Sequence, residues 1–292
     1  MPFTLRAYLQ LIRAPAGFTA LSNILAAQLV ATAGDIQWPV LLLLSLSSMA
    51  LYGSGMVFND WFDFETDRAE RPQRPLPSGK ISRNHALHLA IVLMVVGCLL
   101  ATLVGLVSLF IALGISLLIL VYDGWAKNNA AGPLVMAACR YFNWMLGLSV
   151  SMDSLPVAAW WIPVPVYLYI FALTYLGKDE VAGIHPHRVW TVASLVFASL
   201  ATLLALAIST AIPAPWQWLP AVGATAYLLW QLWRLFGDYH PAAIQRVMSL
   251  MILSVIIVDA LVVLALGGGY WSLLVLLLLL PGKLLARLIY VT

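Results

Sequence analysis

Hydrophobic and polar residues are strongly segregated along this chain. Five stretches, 14–59, 84–122, 128–177, 189–233 and 247–282, are nearly free of Asp, Glu, Lys and Arg, and short charged clusters separate them. Each is too long for one membrane crossing, because a helix rising about 1.5 Å per residue over such a stretch overshoots the roughly 30 Å hydrocarbon core of a bilayer. Each is therefore expected to fold back once. Polar or helix-breaking residues mark the reversals: near Asp35, at Gly105 to Ser108, near Asp153, at 212–216 and at Gly267 to Gly269. The pattern predicts ten spans. The last is interrupted by Pro281 and Lys283, which leaves a short span or an interfacial helix as alternatives.

Charge orients these spans, since cytoplasmic loops collect Lys and Arg. With the N-terminus inside, all fifteen Lys and Arg fall on the cytoplasmic side or, like Arg140, within a span, and the five His lie on that side too. A content of 63% hydrophobic and 9% charged residues points the same way, to an integral membrane protein. No polar linker divides the chain, so 1–292 reads as one all-α domain, a polytopic transmembrane helical bundle with a cytoplasmic N-terminus. The net charge of +3 carries no nucleic-acid footprint, and no protein partner can be inferred. Cys98 and Cys139 lie in apolar runs and suggest neither disulfides nor a metal site. The N-terminal segment lacks a short apolar core followed by a small-residue cleavage site, so the first helix is expected to be retained. The positive-inside pattern fits a bacterial inner membrane and equally admits an organelle membrane.

One charged segment stands apart. "NDWFDFETDRAERPQRPLPSGK", 59–80, holds five carboxylates and four cations where the second span ends. Asn59, Asp63 and Asp67 follow one another at i, i+4 and i+8, which places them in a stripe about 80° wide on a helix. Such aligned oxygens repel without a cation between them, and hard oxygen ligands suit Mg²⁺, which binds through one or two carboxylates plus substrate phosphates. Pro72, Pro75 and Pro77 predict a helix end near Arg71, followed by a basic loop with Arg74, Lys80 and Arg83. The alternative is a solvated loop of mixed charge, which needs no row of acids. Arg140, inside a span, is costly unless it meets a polar cavity; it is either a site residue or bonded structurally to a carbonyl or to Asn143.

The run Asn59, Asp60, Asp63, Asp67 with the following "DRAERPQRPLPSG" resembles the first signature of the UbiA-type intramembrane prenyltransferases. The resemblance extends to Tyr122, Lys127, Gly132, Arg140, Asn143 and Gly147 and to Arg13 and Asn23, within roughly the first 190 residues. Members of that family are mostly nine-helix bundles, which implies nine core helices here; the short tenth C-terminal segment departs from that pattern. It further implies acidic motifs that hold Mg²⁺, bind the diphosphate of an allylic isoprenyl donor and draw it away, leaving a carbocation for a hydrophobic acceptor in the membrane. On this resemblance the catalytic candidates are Asp63, Asp67, Lys127 and Asp179. The substrate-binding candidates are Asn59, Arg68, Tyr122, Arg140, Asn143 and Lys178, and the metal candidates are Asn59, Asp63, Asp67, Asp179 and Glu180.

The second acidic motif departs from the family pattern. "TYLGKDEVAGIHPHR" offers Asp179 and Glu180, then Ala182 and Gly183 where a further Asp is usual. Neighbours on a helix diverge by about 100°, so these two share a ligand role only on an unwound backbone. Either Asp179, Glu180 and water hold a second ion, or one ion binds, or diphosphate ionisation has been lost. The last case is the rival reading, a non-catalytic or transport-related relative that binds an isoprenoid or another metabolite. His185 and His187 are candidate ligands or bases, or bystanders. Asp259, alone in the ninth span, either contacts the acceptor or makes a structural hydrogen bond.

Overall fold

The computed structural model describes residues 3–151, 157–209 and 218–290, and among these the regular elements are all helical. They are α1 (Phe3–Leu11), α2 (Ala14–Ala31), α3 (Trp38–Phe62), α4 (Phe64–Glu70), α5 (Arg83–Thr102), α6 (Leu106–Gly124) and α7 (Gly132–Leu148). There follow α8 (Val164–Gly177), α9 (Arg188–Ser209), α10 (Leu219–Gly237), α11 (Pro241–Ala265), α12 (Trp271–Leu277) and α13 (Leu279–Tyr290). Chain reversals occur as expected between α2 and α3, between α5 and α6, and at the glycines before α12. Those expected near Asp153 and at 212–216 lie outside the described residues. By length and composition, eight helical segments among the described residues can cross a membrane, and Trp271–Ile289 is one of them. Pro281 falls in the first turn of α13, where its missing N–H costs little. The C-terminal segment is therefore long enough to span.

Lipid tails are as apolar as leucine, so a bundle in a bilayer is held by close packing and buried hydrogen bonds. The sequence of α2, "APAGFTALSNILAAQLVA", supplies small residues for this purpose. Two apolar clusters fill the interior, one drawn mainly from α1, α3, α5 and α6, the other from α8 to α12, and both α2 and α7 contribute to each. These two central helices meet at Gly147, where an added Cβ would lie 2.5 Å from the Cβ of Ala27 and 3.1 Å from the carbonyl of Ile24. Serines join other pairs: Ser47 and Ser54 of α3 donate to the carbonyls of Gly97 and Ala90 at 2.7 and 2.8 Å.

A carboxylate completes the centre. Asp259 of α11 is 0% exposed. It accepts from Ser22 Oγ at 2.5 Å, from Asn23 Nδ2 at 2.9 and 2.8 Å and from Trp144 Nε1 at 2.8 Å. Of the two roles open to it, the structural hydrogen bond is the one that the geometry bears out, and it knots α2, α7 and α11 together.

Gly147→Ala should destabilise the bundle by about 1–3 kcal/mol through overpacking. Gly114 has no heavy atom within 4 Å of an added Cβ. Thermal unfolding in detergent should therefore show a lowered midpoint for Gly147→Ala and none for Gly114→Ala.

Candidate active site

The acid segment keeps its helical register across a shallow break. The α3 helix ends at Phe62, Asp63 turns the chain with φ −84° and ψ 6°, and α4 carries on to Glu70. The backbone bonds Asp63 N to Asn59 O (3.0 Å), Asp67 N to Asp63 O (2.8 Å) and Arg71 N to Asp67 O (2.8 Å) hold the expected i, i+4 spacing. Arg71 leaves the helix as the prolines require.

The side chains form two groups that meet at Asn59. In one, Lys127 is ion-paired with Asp63, and Asn59 Nδ2 donates to Asp123 Oδ1 at 2.9 Å. In the other, Arg13 Nη2 reaches Asp60 Oδ1 at 2.9 Å and Asn59 Oδ1 at 3.3 Å. Arg74 Nη1 reaches Asp67 Oδ2 at 2.6 Å and Asp60 Oδ1 at 3.4 Å. Arg13 does so from a left-handed backbone, φ 48° and ψ 47°, at the corner between α1 and α2. A non-glycine residue there costs about 1–3 kcal/mol and marks a constrained position. Arg68 is exposed.

A cavity of about 90 Å³ opens beside these groups, lined by Tyr52, Asn59, Tyr122, Asp123, Arg140 and Asn143 among others. Arg140 donates to Thr19 Oγ1 at 2.8 Å and to Asn23 Oδ1 at 3.4 Å, and lies 5.6 Å from the ring centre of Tyr52. Asn143 donates to Asn23 Oδ1 at 3.1 Å and accepts from Ser48 at 2.7 Å. Asn23 thus links the cavity wall to Asp259. Four of the six substrate-binding candidates, Asn59, Tyr122, Arg140 and Asn143, line this one space.

The second acidic segment stands apart from the cavity. The α8 helix ends at Gly177, so Asp179 and Glu180 sit on an unwound turn. Glu180 turns to Arg71, 3.9 Å away. Asp179 is 1% exposed and enclosed by its own loop. Its Oδ2 accepts from the backbone N–H of His185 at 2.7 Å and from Tyr239 Oη at 2.8 Å, while its Oδ1 lies 3.0 Å from His185 Nδ1. Arg188 Nη1 is 4.0 Å away. Burial opposes the charge, but the bonds from His185 and Tyr239 and the nearby Arg188 outweigh it and hold the carboxyl at about 2. Lys178 donates to the carbonyl of Asn129; burial, then the Arg188 charge, lowers its pKa.

Sequence reasoning missed Asp123 and Tyr52 and gave no role to Asp60 or Arg74. Asp123 carries one visible signal, an acid in the last turn of an apolar span four residues before Lys127.

A carboxyl whose folded pKa lies below the ordinary 3.8 stabilises the fold fully above that value and loses this contribution as pH falls toward about 2. The difference in unfolding midpoint between wild type and Asp179→Asn should hold from about pH 7 to about pH 5 and shrink below about pH 4. A difference that stays constant down to about pH 3 would contradict the bonding described for Asp179.

The model of the UbiA prenyltransferase family matches residues 20–256. Digeranylgeranylglyceryl phosphate synthase from Methanoregula boonei is 30% identical over 220 residues, 73% of this chain and 74% of that protein. A solved structure described as digeranylgeranylglyceryl phosphate synthase in membranes has a TM-score of 0.68 at 21% identity, covering 90% of this chain and 99% of its own. A UbiA homologue from Archaeoglobus fulgidus, solved bound to GPP and Mg²⁺, has a TM-score of 0.51 at 16% identity, covering 94% and 99%. With its all-helical membrane bundle and its acid motif at one end, this chain belongs to the UbiA prenyltransferase family.

Proposed function

We propose that the cavity between Asn59 and Arg140 is where an isoprenyl group passes from an allylic isoprenyl diphosphate, bound with Mg²⁺, to a hydrophobic acceptor with a polar head. The observation that carries this reading is a single apolar-walled space with acids and cations at its mouth and a guanidinium in its wall. The donor set fits the metal: Asp63 and Asp67 offer carboxylate oxygens and Asn59 an amide oxygen, each one helical turn from the next. When bound, Mg²⁺ would supply Lewis acidity to the departing diphosphate.

The chain's own residues do the rest. Lys127, Arg13 and Arg74 neutralise Asp63, Asp60 and Asp67. With those carboxylates holding a cation, the same ammonium and guanidinium groups would be available to offset the charge on the phosphate oxygens. Tyr52 and Tyr122 line the cavity with aromatic rings, a residue type suited to positive charge on the allylic carbon. Arg140 and Asn143 receive the acceptor's polar head. A space of about 90 Å³ is below the roughly 300 Å³ of ordinary ligand pockets, so the rest of the isoprenyl tail leaves toward the lipid. Four charged loops meet at this end of the bundle, through the pairs Lys127 with Asp63, Arg71 with Glu180, Lys178 with Asn129 and Tyr239 with Asp179. This supports an orientation with that end, and the N-terminus, in the cytoplasm of a cell membrane.

Diphosphate release by the purified protein, assayed with a panel of isoprenyl diphosphates and acceptors, should require Mg²⁺ and stop in EDTA. Asp63→Ala should lower it about a hundredfold or more. Binding of an uncharged isoprenoid without metal, together with no release from any donor, would instead favour the carrier.

Arg140→Gln should raise the acceptor KM roughly tenfold or more while leaving donor binding unchanged. An equal loss of donor binding would place Arg140 at the diphosphate and remove it from the acceptor.

A further inference from the structure

An asparagine side chain has one end that donates and one that accepts, nearly identical in shape. Only its oxygen can face a cation. For Asn59 to serve a metal, something must therefore choose which end points into the site, and packing alone does not distinguish them. The structure supplies a chooser on another helix. Asp123, in the last turn of α6, accepts from Asn59 Nδ2 at 2.9 Å. With Asp123 accepting, the amide nitrogen points toward α6 and Oδ1 is left on the opposite side. There Arg13, a cation, already approaches Oδ1 at 3.3 Å.

We infer that Asp123 is a positioning residue: by accepting from the Asn59 amide nitrogen it presents Asn59 Oδ1 to the cation that accompanies the donor diphosphate. The inference rests on the metal–diphosphate reading above. Two further observations support it. Asp123 is 7% exposed and lies at a helix C-terminus, where both burial and the helix dipole work against a negative charge. An acid kept at such a place needs a reason, and the hydrogen bond to Asn59 supplies one. Asp123 also lines the same cavity as Asn59 and Tyr122, so the bond is made at the edge of the space that the substrate enters. In Asp123→Asn the new side chain can donate as well as accept. The Asn59 amide then loses the stronger of the two bonds that orient it and is held only by the 3.3 Å contact from Arg13, so its nitrogen turns toward the cation in a larger share of molecules.

The test is a Mg²⁺ titration of the equilibrium binding of a non-ionisable isoprenyl thiolodiphosphate to the purified protein, read by tryptophan fluorescence or calorimetry. Asp123→Asn should raise the Mg²⁺ needed for half-saturation about 10–100-fold, the usual cost of losing an outer partner of a metal ligand. In an Asn59→Ala background the same substitution should add nothing, because Asp123 acts through Asn59. The exchanged pair, Asn59→Asp with Asp123→Asn, should recover Mg²⁺ binding, since position 123 then donates to one carboxylate oxygen and leaves the other for the cation. An unchanged Mg²⁺ requirement in folded Asp123→Asn overturns the inference, and so does an effect that simply adds to that of Asn59→Ala. If Asp123→Asn does not fold, the exchanged pair decides: Mg²⁺ binding near that of wild type supports the inference, and loss of it in a folded protein overturns it. Analogue binding by wild type that ignores Mg²⁺ would overturn the metal–diphosphate reading itself, a result distinguishable from either of the others.

Discussion

A buried carboxylate with three hydrogen-bond donors around it governs how this bundle is put together. In a bilayer the apolar faces of helices gain little by meeting each other, so the choice of partner falls to small residues and to polar groups with nowhere else to go. Asp259 has nowhere else to go. Its oxygens take Ser22 and Asn23 from α2 and Trp144 from α7, and the approach needed to make those bonds is allowed by Gly147. The same contact fixes Asn23, whose oxygen then receives Arg140 and Asn143. A structural knot and the wall of the cavity are thus two sides of one asparagine.

A second consequence of low dielectric appears at the mouth. Five acids and the cations among them stand where the apolar bundle gives way to charged loops, and the most enclosed of the acids, Asp60 and Asp67, are met by Arg13 and Arg74. These pairs offset the burial of the acids, and they hold ready the groups that a metal and a diphosphate would each require. Arg13 is brought there by an unfavourable backbone, a local cost set against the bonds that its guanidinium makes.

Much of this was legible in the chain. Charge-free stretches located the helices, and the distribution of Lys and Arg located the loops, because insertion into a bilayer imposes both patterns strongly. The acid stripe kept its predicted register since helix hydrogen bonding continues across the break at Asp63. What stayed hidden depended on pairing between distant helices. Nothing local distinguishes the partner of Asp259 from that of any other lone acid, and Asp123 looks like the end of a span until Asn59 is seen beside it. Spacing also concealed that Asp60 and Asp67, seven residues apart and so about two turns along one face, would share Arg74.

The thin second motif shows why an acid's place in a sequence motif and its place in a site are different things. Asp179 has an unwound backbone, which removes the angular objection to pairing with Glu180. Yet the two diverge, Glu180 toward Arg71 and Asp179 into a pocket formed by His185 and Tyr239. A carboxylate already served by three donors must give up some of them before it can hold a cation, whereas Asp63 has only to release Lys127. The cost of recruiting each acid is therefore unequal. Asn59 and Asp63 are the group most readily turned toward a metal, and the second segment, tied through Tyr239 to the turn after α10 and through Glu180 to Arg71, joins the loops at this end of the bundle.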